Sequence, residues 1–119
     1  MISKKDRLFN LSTKHTSYLF AITETGHLEH LYYGRLLSNP TLSIDALAEK
    51  RSLNIGASTA YDSDNPTLYL TNLCMEYSTM GKGDYRECSV NIEYSRGMQT
   101  LDFIVKSFRT HQRTMPAAL

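Results

Sequence analysis

The chain has 119 residues, of which 41% are hydrophobic, and its 13 Lys+Arg against 12 Asp+Glu leave a formal net charge of +1. This length and composition predict one globular domain, 1–119, large enough to bury a modest core. The charge balance argues against a nucleic-acid binder, which needs a basic face, and the apolar runs are far shorter than the roughly 20 residues of a transmembrane helix.

An apolar run, side-chain alternation and a turn signal predict three strands in the first third of the chain. Leu8 to Leu11 is a short apolar run, and from His15 to Thr23 successive side chains face opposite sides. The two faces of that segment carry Ser17, Leu19, Ala21 and Thr23 on one side and Tyr18, Phe20 and Ile22 on the other. Gly26 can adopt the positive φ of a tight turn, so His27 to Gly34 is predicted to be the return strand.

The middle of the chain is predicted to be mostly loop. Ser43 to Lys50 has the sequence of a short helix, because a serine can cap its first turn and a lysine suits its last turn. Residues 51–66 and 77–87 are polar and contain glycine, which predicts two long surface connections. The short apolar run from Thr67 to Leu70 is predicted to be a strand.

A second hairpin is predicted towards the end of the chain. Apolar and polar side chains alternate from Cys88 to Tyr94, residues 95–98 form a turn, and the alternation resumes from Thr100 to Phe108. These strands and the near absence of helix predict an all-β domain: an antiparallel β-sandwich with one short helix near 43–50.

The N-terminal sequence and the number of cysteines predict the cellular location of the protein. The segment from Met1 to Lys5 already contains two lysines and is not followed by the apolar core of a secretory signal, so a cytoplasmic protein is predicted. Cys74 and Cys88 are too few for a disulfide framework and are expected to be free thiols. The cysteines lack a zinc-binding spacing, and neither a metal nor a cofactor is predicted.

Two groups of polar residues resemble catalytic or metal sites. His27 and Glu29 face one side of the predicted strand and His30 faces the other, so structural roles are expected for them rather than metal binding. Asp62 and Asp64 are paired carboxylates, but their proximity in sequence does not place them across a glycosidic bond. The chain contains no nucleophile motif, and no catalytic residue is assigned.

The segment from Gly81 to Glu87 reads G-K-G-D-Y-R-E. A phosphate-binding loop would need a longer glycine-rich stretch that ends in Lys-Ser/Thr at the start of a helix. We therefore expect the glycines to shape a loop in which Asp84 and Arg86 form an exposed ion pair of little energetic consequence. A polar loop that holds a ligand is the alternative.

Five segments, taken in order, resemble a known enzyme family. They are T-S-Y-L-F (16–20), T-G-H-L-E-H-L-Y-Y-G (25–34), A-E-K-R-S (48–52), A-Y-D-S-D-N-P-T-L (60–68) and G-K-G-D-Y-R-E (81–87). Together they resemble the N-terminal region of bacterial α-galactosidases of glycoside hydrolase family 36, from about Leu8 to Phe108. The resemblance implies an incomplete β-sandwich of the galactose-mutarotase-like supersandwich type, which precedes a catalytic (β/α)8 barrel in the family.

The resemblance also implies an activity for the parent protein. Family members hydrolyse terminal α-linked galactose from sugars such as melibiose or raffinose with retention of configuration, using two aspartates in the barrel. No position in 1–119 matches the motifs of those aspartates. The chain is therefore expected to be a fragment of the N-terminal domain without the barrel, and to be inactive alone.

The resemblance also bears on assembly, because many members of the family are tetramers in which loops of the N-terminal domain reach the catalytic pocket of a neighbouring subunit. The resemblance thus implies a homo-oligomer in which the Tyr61-Asp62 loop and the 81–86 loop lie at the interface. The candidate galactoside-binding residues are Tyr61, Asp62, Asp84 and Arg86. Two alternatives stay open: a stand-alone carbohydrate-binding module, with tyrosines as sugar platforms in a chain that lacks Trp, and a pure oligomerisation module.

Overall fold

The computed structural model describes residues 1–38, 47 and 59–111. Its regular part is one antiparallel sheet whose strands are neighbours in chain order, namely β1 Ile2–Lys5, β2 Leu8–Ser12, β3 Thr16–Ile22 and β4 Leu28–Arg35. One turn of 3-10 helix follows at Leu70–Asn72. The described part is thus mainly antiparallel β, as the alternation predicts, and the predicted helix 43–50 lies outside the described residues except for Leu47. Among the described residues no helix is long and apolar enough to cross a membrane.

The first strand is one that the alternation does not predict. Two of its four residues are Lys4 and Lys5, yet it pairs with β2 in a ladder that begins at Ile2 opposite Leu11. Asp6 closes this hairpin with a φ of +53°, in the left-handed region that aspartate tolerates better than most residues. Backbone pairing and turn chemistry therefore form β1 although its sequence is polar.

The core lies on the inner face of the sheet. Ser17, Leu19 and Ala21 of β3 are at most 3% exposed, whereas Tyr18, Phe20 and Ile22 on the opposite face are half-buried. The second half of the chain completes the core with Tyr69, Leu70, Leu73 and Leu101. The two predicted faces of β3 are confirmed, and the face with the smaller side chains is the buried one.

β4 interrupts the simple alternation at one residue. Leu19 pairs with Tyr32, but the next residue, Phe20, pairs with His30. Leu31 is therefore the extra residue of a β-bulge. Beyond the bulge the inward and outward positions of β4 are again in step with those of β3.

The outer edge of β4 is covered by residues 74–76. The amide of His30 donates to the carbonyl of Cys74 at 2.7 Å, and the amide of Glu76 donates to the carbonyl of Leu28 at 3.0 Å. Covering an edge strand satisfies its backbone groups and removes a template for pairing with other chains. These bonds also attach the irregular second half of the chain to the sheet.

The predicted strand from Thr67 to Leu70 is wrong. Residues 66–67 form a turn and the 3-10 turn begins at Leu70. Leu70 and Leu73 are each 1% exposed, because a spacing of three in a 3-10 turn places both side chains on the same side. A local helical turn, rather than a strand, buries these leucines.

The second predicted hairpin forms its turn but not its strands. The amide of Tyr94 donates to the carbonyl of Met98 at 2.9 Å, so residues 94–98 do reverse the chain. The flanking segments pair elsewhere: the amides of Ser89, Leu101 and Val105 donate to the carbonyls of Ser78, Met80 and Gly26. Because these donors already bind other segments, the alternation in 88–108 does not produce two adjacent strands.

The outer face of the sheet carries an aromatic cluster. The ring of Phe9 stacks on Phe20 at a centroid distance of 5.0 Å and meets Phe108 edge-on at 4.9 Å. These rings line an open, mainly apolar cleft of about 390 Å³ between the sheet and residues 105–110. An apolar face of this kind is typical of a surface that other polypeptide covers.

Candidate functional site

Two polar loops lie against each other in the second half of the chain. We call residues 59–65 the Asp62 loop and residues 81–86 the glycine loop. The hydroxyls of Thr59 and Tyr85 are 3.0 Å apart, and the Nζ atom of Lys82 lies 5.6 Å from the centroid of the Tyr61 ring. The two segments chosen from the sequence as candidates are therefore neighbours in space.

The glycines of the glycine loop are required by close approach. Gly83 has a φ of +83°, and a Cβ atom there would lie 2.5 Å from the carbonyl oxygen of Thr59. Gly81 has a φ of +103°, and its Cβ would lie 2.5 Å from the Cγ2 atom of Thr100. Because other residues rarely adopt this backbone region, the prediction that these glycines shape the loop is confirmed.

Asp62 organises its own loop. Its Oδ1 atom accepts hydrogen bonds from the amide of Asp64 at 3.0 Å, the amide of Asn65 at 2.8 Å and the side-chain nitrogen of Asn65 at 2.8 Å. This is the way aspartate stabilises a turn through its own following backbone. The residue is exposed, so the carboxylate is held at the surface in a fixed turn.

Tyr61 is anchored to a buried histidine through a carboxylate. The hydroxyl of Tyr61 donates to Oδ2 of Asp102, and Oδ1 of Asp102 lies 2.7 Å from Nε2 of His27. The side chain of His27 is 1% exposed, and its ring meets the Tyr61 ring edge-on at 4.8 Å. Since an ionised carboxylate only accepts hydrogen bonds, Nε2 of His27 carries a proton. The Oγ1 atom of Thr25 lies 2.7 Å from the other ring nitrogen, Nδ1.

The anchor changes the acidity of the Tyr61 phenol. Burial, followed by the hydrogen bond to Asp102 and the negative charges of Asp102 and Asp62, raises the pKa of Tyr61 to about 12. Each cause disfavours the phenolate, because the ionised form would be desolvated and would face carboxylates. At neutral pH the phenol is therefore a hydrogen-bond donor.

Asp84 and Arg86 form a partly buried ion pair, not the exposed one that the sequence suggests. The Nε and Nη2 atoms of Arg86 donate to the two carboxylate oxygens of Asp84 at 3.0 and 3.1 Å, and the Asp84 side chain is 2% exposed. The guanidinium also donates to the carbonyls of Leu73 at 2.6 Å and Leu70 at 3.0 Å. Arg86 thus binds carbonyls at the two ends of the 3-10 turn, and the expectation of an exposed pair is wrong.

The four predicted residues thus have different roles within the chain. Tyr61 and Asp62 stand at the Asp62 loop, with the phenol engaged by Asp102 and the carboxylate at the surface. Asp84 and Arg86 bind each other and the 3-10 turn. Sequence reasoning missed Asp102, and it placed Lys82 and Tyr85 in the 81–86 loop without assigning them a role. No local signal could reveal Asp102, which is 75 residues from His27 and 41 from Tyr61.

The histidines separate as the alternation predicts. His27 and Glu29 are buried, whereas His30 is half-exposed and its Nδ1 lies 2.9 Å from Oε1 of Glu76. The Thr25, His27 and Asp102 side chains have the order of a nucleophile, a base and a carboxylate, but the buried imidazole faces the interior instead of a cleft. Within the described ranges no three His, Cys, Asp or Glu side chains could hold a metal ion together.

Comparison with known proteins gives a consistent relationship. The family model described as the glycosyl hydrolase family 36 N-terminal domain matches residues 26–119. The bifunctional alpha-galactosidase/sucrose kinase AgaSK of Mediterraneibacter gnavus is 30% identical over 102 residues, which are 86% of this chain and 11% of that protein. The chain therefore spans only a small part of this relative.

The structural comparison agrees. The galactosidase domain of AgaSK superposes with a TM-score of 0.75 at 30% identity, covering 90% of this chain and 15% of that one. A variant of the GH36 alpha-galactosidase AgaA from Geobacillus stearothermophilus, crystallised with stachyose, gives 0.72 at 25% identity over 84% of this chain and 13% of that one. The resemblance found in the sequence is confirmed: the chain belongs to the N-terminal domain family of glycosyl hydrolase family 36.

Proposed function

We propose that this chain is the non-catalytic N-terminal part of an α-galactosidase that hydrolyses terminal α-galactosyl residues of melibiose- or raffinose-type sugars with retention. The family membership supports this proposal, as does the stachyose complex of a structural neighbour. The two catalytic carboxylates that retention requires would lie in a barrel outside residues 1–119. The chain would supply a scaffold, a subunit interface and loops for the substrate pocket.

The contact between the Asp62 loop and the glycine loop carries the proposal. Together they present an exposed carboxylate, an ammonium group and the Tyr85 ring, which is 73% exposed. Carboxylates and aromatic rings are suited to sugars, because the former accept hydrogen bonds from hydroxyls and the latter cover apolar C–H faces. We propose that this surface meets the catalytic pocket of a neighbouring subunit in a homo-oligomer, a tetramer for the parent enzyme.

The central test is Asp62→Ala in the complete enzyme that carries this domain. Loss of a charge-assisted hydrogen bond to a sugar hydroxyl should raise KM for raffinose about tenfold. Glu93→Ala is the control, because Glu93 is an exposed carboxylate outside both loops. Unchanged kinetics in Asp62→Ala would remove Asp62 from the substrate site.

The 119-residue chain alone should not release nitrophenol from a nitrophenyl α-galactoside. A covalent glycosyl intermediate requires a carboxylate nucleophile and an acid/base partner on the two sides of the bond. Release of nitrophenol above the rate of a heat-denatured sample would contradict the proposal that this chain is non-catalytic.

A carbohydrate-binding module is the second candidate, favoured by exposed tyrosines. Tyr33 is 69% exposed and Tyr77 is 54% exposed, and neither belongs to the two loops. Titration of the isolated chain with galactose or raffinose, monitored through amide NMR shifts, distinguishes a carbohydrate-binding module from an oligomerisation module. Saturable shifts at these tyrosines would favour a binding module, whereas a multimer in light scattering without sugar binding would favour an oligomerisation module.

We also propose a cytoplasmic location for the protein. The free thiols of Cys74 and Cys88 are compatible with a reducing compartment. Fractionation of the producing cells, with the protein followed by immunoblotting, tests this; recovery in the culture medium would contradict it.

A further inference from the structure

The Tyr61 ring is constrained from three sides. Its hydroxyl donates to Asp102, its ring lies nearly perpendicular to the buried His27 ring with the centroids 4.8 Å apart, and the ammonium of Lys82 lies 5.6 Å from its centroid. These partners come from the turn before β4, from residue 102 and from the glycine loop. A tyrosine held by three separate segments cannot change rotamer without breaking several contacts at once.

The next residue along the chain is Asp62, and the constraint on the ring passes to it through one peptide unit. The amide of Tyr61 donates to the carbonyl of Leu68 at 2.8 Å, which closes the Asp62 loop across its base. The turn beyond is held by the three hydrogen bonds to Oδ1 of Asp62. The carboxylate therefore stands on a loop that is fixed at its base by Tyr61 and at its tip by its own side chain.

We infer that Asp102 and His27 are positioning residues that fix Asp62 for a galactoside hydroxyl, acting through the Tyr61 phenol. This inference rests on the proposed function, because it assumes that Asp62 contacts the sugar. His27 cannot touch a ligand itself, since its side chain is buried, so its influence must pass through its neighbours. A loop ordered before binding loses less conformational entropy when it binds, which strengthens the interaction.

The first experiment compares variants in the complete enzyme with raffinose as substrate. Tyr61→Phe removes only the hydroxyl and keeps the ring, so it should raise KM about fivefold with kcat within about twofold. Tyr94→Phe is the matched control, because Tyr94 lies half-exposed on the 94–98 turn outside both loops, and its KM should be unchanged. Equal KM values for the two variants would overturn the inference.

A double-mutant cycle separates positioning from an independent contact. If the phenol acts only through Asp62, Tyr61→Phe should have no further effect on KM in the Asp62→Ala background. Multiplication of the two single effects would overturn the inference and leave Asp62 as a sugar contact. An Asp62→Ala variant with unchanged KM would overturn both the inference and the proposed substrate contact, so the two failures are distinguishable.

A spectroscopic readout on the 119-residue chain detects the anchor itself. In Asp102→Asn the negative charge is lost, so the pKa of Tyr61 should fall from about 12 towards the ordinary tyrosine value near 10. Labelling tyrosines with ¹³C at Cζ and titrating by NMR gives this value, with Tyr61→Phe identifying the signal. Tyr61→Phe keeps the kinetic test available should Asp102→Asn fail to fold. A phenol that titrates identically with and without Asp102 would overturn the anchor.

Discussion

The sheet of residues 2–35 and the irregular half of residues 59–111 are held together by different contacts. In the sheet, each strand binds its neighbour through a repeating backbone ladder, and side chains contribute mainly by filling the inner face. In the irregular half, single polar side chains bind backbone carbonyls or one another, as Arg86 does at the 3-10 turn and Asp102 at Tyr61 and His27. The sheet should therefore be sensitive to lost volume, and the irregular half to the loss of individual polar groups.

The largest effect is expected from Leu19→Ala in the sheet. Leu19 is 3% exposed on the inner face of β3, and its truncation should lower the free energy of unfolding by about 3 kcal/mol through lost burial and a residual cavity. Urea denaturation of the chain measures this loss. Leu11→Ala, at a position that is 36% exposed, should cost clearly less. Equal losses would contradict the assignment of the inner face as the core.

Asp84→Asn tests the polar half of the comparison with almost no change in volume. The variant leaves the Arg86 guanidinium without its carboxylate partner, so we expect a loss of about 2 kcal/mol. Arg86 is partly exposed, and solvent therefore moderates the effect. Glu93→Gln makes the same chemical change at an exposed site and should stay within about 0.5 kcal/mol. A silent Asp84→Asn would mean that the irregular half is not held by this pair.

The smallest effect is expected from a pair of glycine substitutions in the irregular half. Gly81→Ala and Gly97→Ala both place a Cβ atom on a residue with positive φ, but only the first meets a neighbour, Cγ2 of Thr100 at 2.5 Å. Gly81→Ala should therefore be the more destabilising by about 1 kcal/mol, with the difference in thermal unfolding measuring the clash. Equal shifts would show that the 81–86 loop can move away from Thr100.

The sequence predicts the sheet better than the irregular half, for physical reasons. Local properties of the chain predict β2, β3 and β4: an apolar run for β2, a two-residue alternation for β3 and the turn signal at Gly26 for β4. β1 is missed because Lys4 and Lys5 hide the alternation, and only its pairing with β2 makes it a strand. The region 88–108 has the cleaner pattern, but its backbone partners are distant segments that local alternation does not encode.

The candidate site likewise has features that the sequence predicts and features that it does not. The glycines at 81 and 83 and the polar turn at Asp62 are predictable, because their residue types carry local conformational preferences. The partial burial of the Asp84 and Arg86 pair is not, since it depends on the carbonyls of the 3-10 turn. The connection of Tyr61 to His27 through Asp102 depends on three segments that meet only in the folded chain.

The bulge at Leu31 has a consequence for aligning related sequences. It shifts the phase of β4, so that Leu28 and His30 share a face with Tyr33 although their positions differ from that of Tyr33 by five and by three, which are odd numbers. A relative that lacks this one residue can keep the same pairing at positions 32–35, and its alignment assigns each side chain to the correct face only if the gap is opened at 31. Deleting Leu31 would therefore join these pairs into a regular ladder, in which Tyr33 still lies opposite Tyr18 and the aromatic pair on the outer face is kept.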